Sequence, residues 1–321
     1  MTILITGGAG FIGSHLADRL LTEGHRVTAL DNFETGSEDN LTAAKTNARF
    51  TLVPGSILDT PLVERLVHGH DVIVHLAAAV GVARIVHETL QSLITNVRGT
   101  EIVLEAAAAS DKQVLLASTS EVYGKSNVFP LRENAGMVIG DLSINRWSYA
   151  VGKATDEMYA FAMHQQRGLK VTVARFFNTV GPRQSPAYGM VIPRLVRQAI
   201  AGDELTVHGT GQQSRCFGHV TDAVEAVMRL MHSDDVVGNV YNIGSSEEIS
   251  IVALAELIRE RAKSESTIAF VPYDVAYPSG FEDIPRRVPA VDAIREAVGW
   301  VHTRSLVEII DETIDYFRSR G

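Results

Sequence analysis

The sequence contains a single cysteine, no long apolar run and no excess of basic residues, and each shortage excludes a class of protein. Because Cys216 has no partner among the 321 residues, an internal disulfide is impossible and a reducing cytoplasm is expected. The 29 basic residues face 38 acidic ones, a formal charge of −9, which argues against a nucleic-acid partner. No apolar run approaches the roughly 20 residues of a membrane span, and the apolar start lacks the basic segment of a signal peptide. We therefore expect no membrane partner.

Short apolar runs alternate with helical stretches through the first half of the chain. This rhythm predicts an α/β fold, namely a Rossmann-type, doubly wound parallel sheet with helices on both faces. Residues 72–76 have no polar face, as strands buried on both sides should. The predicted strands are residues 2–6, 26–30, 50–53, 71–76, 113–118 and 170–175. The predicted helices are residues 11–23, 38–46, 60–68, 89–110 and 147–167.

The alternation loosens from about residue 176, where glycines and prolines punctuate the chain. We interpret residues 1–175 as a dinucleotide-binding domain and residues 176–321 as a smaller, interleaved C-terminal lobe that binds the substrate. Helices of this lobe are predicted at residues 190–201, 220–232, 250–263 and 304–319.

Three glycines follow the first predicted strand and open the next helix, in the order Gly7, Gly10 and Gly13. Such a turn lets the backbone approach a pyrophosphate, and the helix N-terminus offers it unpaired N–H groups. Asp31 ends the second strand 18 residues after Gly13, where a carboxylate accepts from ribose hydroxyls and repels a 2′-phosphate. The pattern therefore predicts NAD rather than NADP. A plain glycine turn and a turn-forming Asp31 are the alternatives.

Tyr149 and Lys153 lie four residues apart on a predicted helix, so their side chains share one face. An ammonium beside a phenol lowers the pKa of the phenol, which would make Tyr149 a base for a substrate hydroxyl. Thr119, at the end of a predicted strand, can hold the same substrate oxygen. Glu121 follows closely, and a carboxylate there is costly unless it has a role. In isolation, the Tyr–Lys spacing would indicate only a solvated helix face.

These motifs together resemble the extended short-chain dehydrogenase/reductase family, and within it the nucleotide-sugar epimerases and decarboxylases. The resemblance spans the whole chain and is carried by residues 7–13, 76–78, Asn96, 118–124, 149–153 and 175–183. It implies that Thr119, Tyr149 and Lys153 form a catalytic triad. It also implies NAD contacts from Gly7, Gly10, Phe11, Ile12, Gly13, Asp31, Asn32, Ser56, Ile57, Leu76, Ala77, Ala78, Asn96, Tyr149 and Lys153.

Two residues depart from the family pattern. Ser56 stands where the family often has an aspartate near the adenine, and Gly152 precedes the lysine where serine is frequent. The first departure bears on the adenine contact, and neither touches the catalytic residues.

The same resemblance implies a nucleotide-sugar substrate, with UDP as its carrier. Arg215 offers a bidentate fork for phosphate or ribose oxygens, although a plain surface cation is the alternative. Arg84, in the loop after residues 76–78, could meet a uronate carboxylate. The substrate contacts that we expect are Arg84, Asn178, Val191, His208, Arg215 and Arg287, and no metal site is predicted.

Glu121 and Ser120 discriminate among the reactions of this family. All of them begin when Tyr149 takes the 4-hydroxyl proton and hydride leaves C4. Simple epimerases usually carry a small residue at the position of Glu121, and dehydratases carry an aspartate at the position of Ser120. The segment 118–124 as a whole resembles the UDP-glucuronate decarboxylases.

A second segment, residues 280–289, resembles bacterial members of the same decarboxylase group, and Arg287 matches their active-site arginine. We therefore expect C4 oxidation followed by decarboxylation of UDP-glucuronate. Arg287 could instead contact a diphosphate or be a plain loop charge. The predicted catalytic residues are Thr119, Tyr149, Lys153, Glu121, Ser120 and Arg287.

Several alternatives stay open from the residues. A UDP-glucose or UDP-glucuronate 4-epimerase is the main one, and a 4,6-dehydratase or a non-catalytic NAD sensor is less favoured. Glu121 beside a substrate carboxylate would be a like-charge pair, which raises one pKa or disfavours binding. Because helices matching 89–110 and 147–167 pair into dimers in the family, a homodimer is expected.

Overall fold

The computed structural model describes residues 1–81, 85, 87–186, 190–276 and 282–320. Its strands are β1 Thr2–Thr6, β2 Arg26–Asp31, β3 Phe50–Pro54, β4 Val72–His75, β5 Gln113–Thr119, β6 Lys170–Phe176, β7 Thr179–Val180, β8 Leu205–His208, β9 Ser214–Cys216, β10 Gly218–His219, β11 Val240–Ile243, β12 Glu248–Ser250, β13 Ile268–Val271 and β14 Arg286–Arg287. Its helices are α1 Phe11–Thr22, α2 Thr60–His68, α3 Thr89–Leu93, α4 Gly99–Ala109, α5 Trp147–Arg167, α6 Val191–Ala201, α7 Val220–Met231, α8 Ile251–Ala262, α9 Tyr273–Ala276, α10 Asp292–Val298 and α11 Leu306–Arg318.

Seven strands form a parallel sheet in the order β11-β6-β5-β4-β1-β2-β3. The chain leaves β1 toward β2 on one side and later returns to β4 on the other, which is the doubly wound arrangement. The predicted fold class is therefore confirmed. The switch point between β1 and β4 places the carboxyl ends of both strands beside the glycine turn.

The six predicted strands are all present in this sheet, and a seventh, β11, was not predicted. Asn242 lies in the middle of this strand and is fully buried. Its burial is tolerated because its amide donates to the carbonyls of Leu131 and Ala290 and accepts from the Tyr123 hydroxyl. An asparagine in a four-residue apolar run indicates a turn when its distant partners are unknown.

The helix predicted over residues 38–46 was wrong. Two short 3₁₀ turns, Glu38–Leu41 and Ala44–Thr46, occupy this segment. The Thr42 and Thr46 hydroxyls donate to carbonyls three residues back, at 2.8 Å each, and such bonds compete with regular helix. The helix predicted over 89–110 is also divided, because a π-helical turn, Ile94–Arg98, joins α3 to α4.

The three largest apolar clusters of the described residues lie around these elements. One packs α1 and α7 on one face of the sheet, and a second packs α2, α4 and α5 on the other. A third core lies between α6, α8 and α11. The residues after 176 thus contribute α7 and β11 to the main sheet layer and also form this third core. Among the described residues, no helix is both long and apolar enough to cross a bilayer.

Candidate active site

Nearly all residues predicted for the site line one cavity of about 740 Å³ at the carboxyl ends of the sheet strands. This volume is typical of small-molecule sites. Arg84 lies outside the described residues. Among the predicted residues that the structure describes, Asn96 alone does not line the cavity. Those that do are Gly7, Gly10, Phe11, Ile12, Gly13, Asp31, Asn32, Ser56, Ile57, Leu76, Ala77, Ala78, Thr119, Ser120, Glu121, Tyr149, Lys153, Asn178, Val191, His208, Arg215 and Arg287.

The glycine turn is packed so closely that it admits no side chain. Gly7 has a φ of +73°, and a Cβ on it would lie 2.8 Å from the Ala77 nitrogen. A Cβ on Gly13 would overlap the Gly7 carbonyl oxygen. The N-cap of α1, Gly10, has no side chain to cap the helix, so this helix N-terminus faces the cavity with N–H groups available to phosphate oxygens.

Replacing Gly13 with Ala should weaken the binding of NAD⁺, the predicted cofactor, about tenfold, as expected when overpacking costs 1–2 kcal/mol. The methyl group would push Gly7 away from its position at the mouth of the turn. Calorimetric titration with NAD⁺ measures the effect. Gly136→Ala is the matched control, since a Cβ there meets nothing within 4 Å. Equal affinity in the two variants would contradict the assignment of this turn to the cofactor.

Asp31 both anchors the glycine turn and faces the cavity. Its Oδ2 accepts from the Ala9 N–H at 2.9 Å and its Oδ1 from the Phe33 N–H at 2.8 Å. Burial raises the pKa of Asp31, while these backbone bonds oppose the shift. The Gly10 N–H also bonds to this carboxylate, and its remaining acceptor capacity suits a ribose hydroxyl. Glu34 and Asp39 line the same end of the cavity, and three carboxylates there disfavour a 2′-phosphate.

Asn96 sits in the π-helical turn and is buried. Its Oδ1 accepts from the Ala79 N–H at 2.7 Å, and its Nδ2 donates to the Ala79 carbonyl at 3.2 Å. The side chain therefore fixes the loop that follows Ala78, and a direct contact of Asn96 with a cofactor stays a prediction.

Thr119, Tyr149 and Lys153 all line the cavity. The Tyr149 and Thr119 hydroxyls share a hydrogen bond. The expected lowering of the Tyr149 pKa by Lys153 is not seen in the chain alone, because burial and the charge of Glu121 raise that pKa. The Lys153 ammonium instead donates to Asp156 at 2.9 Å.

Glu121 is held between two arginines. Its Oε1 lies 2.7 Å from Nη2 of Arg287, and its Oε2 lies 3.3 Å from Nη2 of Arg146. Arg287 Nη1 also donates to the Ser120 hydroxyl at 3.4 Å. Burial would raise the pKa of Glu121, but Arg287 and Arg146 outweigh it and hold that pKa below its ordinary value. Glu121 is therefore ionised at neutral pH, and the three side chains together carry one positive charge.

Arg146 is the residue of this cluster to which the sequence assigned no role. Its side chain is 5% exposed and lines the cavity. The available signal was its spacing, since it precedes Tyr149 by three residues and so lies one turn back on the same helix face. Its pairing with Glu121 depends on the packing of β5 against α5, which spacing alone does not give.

The residues expected to hold the substrate lie on the lobe side of the cavity. Arg215 is paired with Asp283 at 2.9 Å, and burial, with Arg287 nearby, lowers the Arg215 pKa to about 10. Asn178 donates to the Cys216 carbonyl at 2.9 Å, which ties the end of β6 to β9. Burial and Arg194 lower the pKa of His208 to about 4, so this imidazole is neutral at pH 7.

Residues 4–313 match the profile of a protein family described as GDP-mannose 4,6 dehydratase. A UDP-N-acetyl-alpha-D-glucosaminuronate decarboxylase of Bacillus cytotoxicus is 43% identical over 319 residues, covering 98% of this chain and 97% of the relative. UDP-glucuronic acid decarboxylase 1 of Xenopus tropicalis is 37% identical over 316 residues, covering 98% of this chain and 72% of the relative.

Among solved structures, a mutant UDP-glucuronic acid 4-epimerase from Bacillus cereus superposes with a TM-score of 0.89 at 26% identity. The match covers 100% of both chains, and that structure contains NAD and a fluorinated UDP-glucuronic acid.

Proposed function

Because this chain belongs to the GDP-mannose 4,6-dehydratase family of extended short-chain dehydrogenases/reductases, we propose that it is an NAD-dependent decarboxylase of a UDP-bound uronic acid. The observation that carries the proposal is the clamp of Glu121 between Arg146 and Arg287, beside Thr119 and Tyr149 in one cavity. A buried excess positive charge is costly until an anion joins it. The carboxylate of a uronic acid supplies that anion.

NAD suits the glycine-turn end of the cavity. The turn leaves room only for backbone, α1 begins there with an uncapped N-terminus, and Asp31 offers lone pairs to ribose hydroxyls. Lys153 and Tyr149 lie farther along the same wall. When bound, NAD⁺ supplies the acceptor for the hydride that leaves C4 of the sugar.

The chain's own residues account for the proton steps. Tyr149 takes the proton of the 4-hydroxyl, while Thr119 holds the same oxygen. With a ketone at C4, the C6 carboxylate belongs to a β-keto acid. The C5–C6 bond breaks, its electron pair passes to an enolate across C5, C4 and the oxygen, and CO₂ leaves. Arg287 and Arg146 hold the carboxylate before this step. A water molecule oriented by Glu121 then gives C5 its proton.

The two arginines also remove the repulsion expected between Glu121 and the carboxylate of the substrate. A uronate next to an isolated Glu121 would be repelled, but two guanidiniums against one glutamate leave a net attraction for a second carboxylate. Ser120 occupies the position where a dehydratase of the family has its acid, and its hydroxyl is instead engaged by Arg287. A 4,6-dehydratase is therefore disfavoured, despite the description of the family profile.

A 4-epimerase acting on a UDP-uronate is the second candidate. It is favoured by the superposition on the Bacillus cereus epimerase, whose ligand also carries a uronate. Epimerisation returns hydride to C4 and needs no acid or base beyond the triad. In an epimerase Arg146 and Arg287 would only bind the uronate, and Glu121 would have no chemical step to perform.

The experiment compares two substrates and two outcomes. The purified chain is incubated with NAD⁺ and either UDP-glucuronate or UDP-N-acetylglucosaminuronate, and the sugar nucleotides are identified by NMR. We expect a UDP-pentose or UDP-4-keto-pentose from one or both substrates. The relative at 43% identity makes the acetamido sugar the first one to try. A uronate inverted at C4, with no loss of carbon, would establish the epimerase instead.

We also propose that residues 1–175 bind NAD and that residues 176–321 bind the nucleotide sugar. The residues suited to NAD come from residues 1–175, whereas Asn178, Val191, His208 and Arg215 come from residues 176–321. We assign the nucleotide sugar to that second part.

A cytoplasmic location is proposed as well, supported by Cys216, which is free and buried.

A homodimer is proposed through α3, α4 and α5. Leu90 on α3 and Met158 on α5 are each 73% exposed, which is unusual for large apolar side chains unless another surface covers them. We expect light scattering to give twice the chain mass of 34.9 kDa. Met158→Glu should shift the mass toward the monomer, and a wild-type monomer would contradict the proposal.

A further inference from the structure

Lys153 forms a buried ion pair with Asp156, nearly one turn farther along α5. Its Nζ donates to Oδ2 at 2.9 Å, and the two side chains are 3% and 1% exposed. Tyr149, Lys153 and Asp156 occupy positions i, i+4 and i+7 of one helix, so they form a single stripe on its inner face. Lys153 therefore lies between Tyr149 and Asp156 along this stripe.

A row of buried polar side chains runs from Asp156 toward the sheet. The Thr100 hydroxyl of α4 faces Asp156, and the same hydroxyl lies 3.1 Å from Nε2 of His75. His75 Nδ1 lies 2.7 Å from the Thr6 hydroxyl, which accepts from the Ala77 N–H at 3.3 Å. This row connects the surroundings of the Lys153–Asp156 pair to the loop that lines the glycine-turn end of the cavity.

Among the side chains from Lys153 and Asp156 to Thr6, only Lys153 and Asp156 are charged. Burial, with Lys153 nearby, lowers the pKa of His75 to about 3, so its imidazole is neutral. Glu157, next to Asp156, is neutralised by Arg175 at 2.6 Å. Asp156 is therefore the carboxylate that offsets the charge of Lys153.

We propose that Asp156 is a positioning residue that holds the Lys153 ammonium in place and, by offsetting its charge, sets the pH at which Tyr149 becomes a base. The inference rests on the proposed function only in taking Tyr149 as the base. An unopposed ammonium beside Tyr149 would favour the tyrosinate more strongly than the ion pair does.

The groups that face Tyr149 agree in sign with this role. Burial is the largest cause of the raised Tyr149 pKa. The charge of Glu121, in the turn that follows β5, raises this pKa further, as does the charge of Asp156, while the hydrogen bond with Thr119 lowers it. Removing the charge of Asp156 therefore favours the tyrosinate. Glu121 is compensated by Arg146 and Arg287 and does not change in that substitution.

The test is an absorbance titration of the tyrosinate with NAD⁺ bound and no sugar nucleotide present. Each protein is measured against its own Tyr149→Phe counterpart, so that only Tyr149 contributes to the difference. We expect Asp156→Asn to move the midpoint to lower pH by about one unit, and Asp156→Glu, which keeps the charge, to titrate like the wild type. An unchanged midpoint in Asp156→Asn would overturn the proposal.

If Asp156→Asn does not fold, the titration of Asp156→Glu alone still tests the proposal. A midpoint in the Glu variant equal to that of the wild type supports control by charge, and a displaced midpoint shows that packing sets the value, which overturns it. Saturating NAD⁺ stabilises whichever variant binds it. Because the titration uses no sugar nucleotide, its result is independent of whether the enzyme releases CO₂.

Discussion

Replacing Tyr149 with Phe is expected to lower turnover of the UDP-uronate about 10³-fold. Phenylalanine keeps the packing of the ring on α5 and removes only the hydroxyl that bonds to Thr119. Without that oxygen no protein group takes the 4-hydroxyl proton, so hydride cannot leave C4. Steady-state assay of the sugar-nucleotide product measures the loss. NAD⁺ affinity should stay within about twofold of the wild type, because Tyr149 is one of many predicted NAD contacts and those of Gly13 and Asp31 are untouched.

Tyr159→Phe is the matched control for that substitution. Tyr159 lies on the same helix, and its hydroxyl donates to Glu105 at 3.1 Å outside the cavity. Its loss should leave turnover unchanged. If Tyr149→Phe and Tyr159→Phe were equally active, Tyr149 would not be the base and the proposed chemistry would lack its first step.

The second large effect is expected at Arg287. Arg287→Gln should reduce CO₂ release about 10²-fold, a loss comparable to removing one charge-stabilising donor from an active site. Glu121 and Arg146 would then neutralise each other and leave no positive charge for the uronate. Arg286→Gln is the neighbouring control, because Arg286 is paired with Glu248 at 2.8 Å on the surface.

Glu121→Gln removes the negative charge of the same cluster, whereas Arg287→Gln removes a positive one. It leaves both guanidiniums without their glutamate, so the uronate should bind at least as tightly as to the wild type, and NAD⁺ binding should be spared. We expect slower CO₂ release with C4 oxidation still visible as nicotinamide absorbance. Turnover of Glu121→Gln equal to that of the wild type would remove the main support for decarboxylation.

The parts of this site that the sequence predicted are those built from local pattern and parallel-sheet geometry. Gly7, Asp31 and Thr119 follow or end apolar runs, and parallel strands bring their carboxyl ends to one edge. Their meeting in one cavity therefore follows from the alternation of strands and helices, as does the stripe of Tyr149 and Lys153 on one helix.

What the sequence did not predict depends on contacts between distant segments. The strand around Asn242 is stable because its amide finds partners on two other segments, and no local pattern reports them. The pairing of Glu121 with Arg146 and Arg287 joins three separate segments. The raised pKa of Tyr149 arises from burial and from Glu121, which motif spacing does not reveal.

Loss of the C6 carboxylate of a UDP-uronate after C4 oxidation is tested most directly by the release of labelled CO₂. The substrate is a UDP-uronate carrying ¹³C at C6, with NAD⁺ present and Tyr149→Phe as the blank. We expect one equivalent of ¹³CO₂ for each sugar nucleotide converted, and none from the blank. Conversion that leaves all of the ¹³C in the sugar would contradict it.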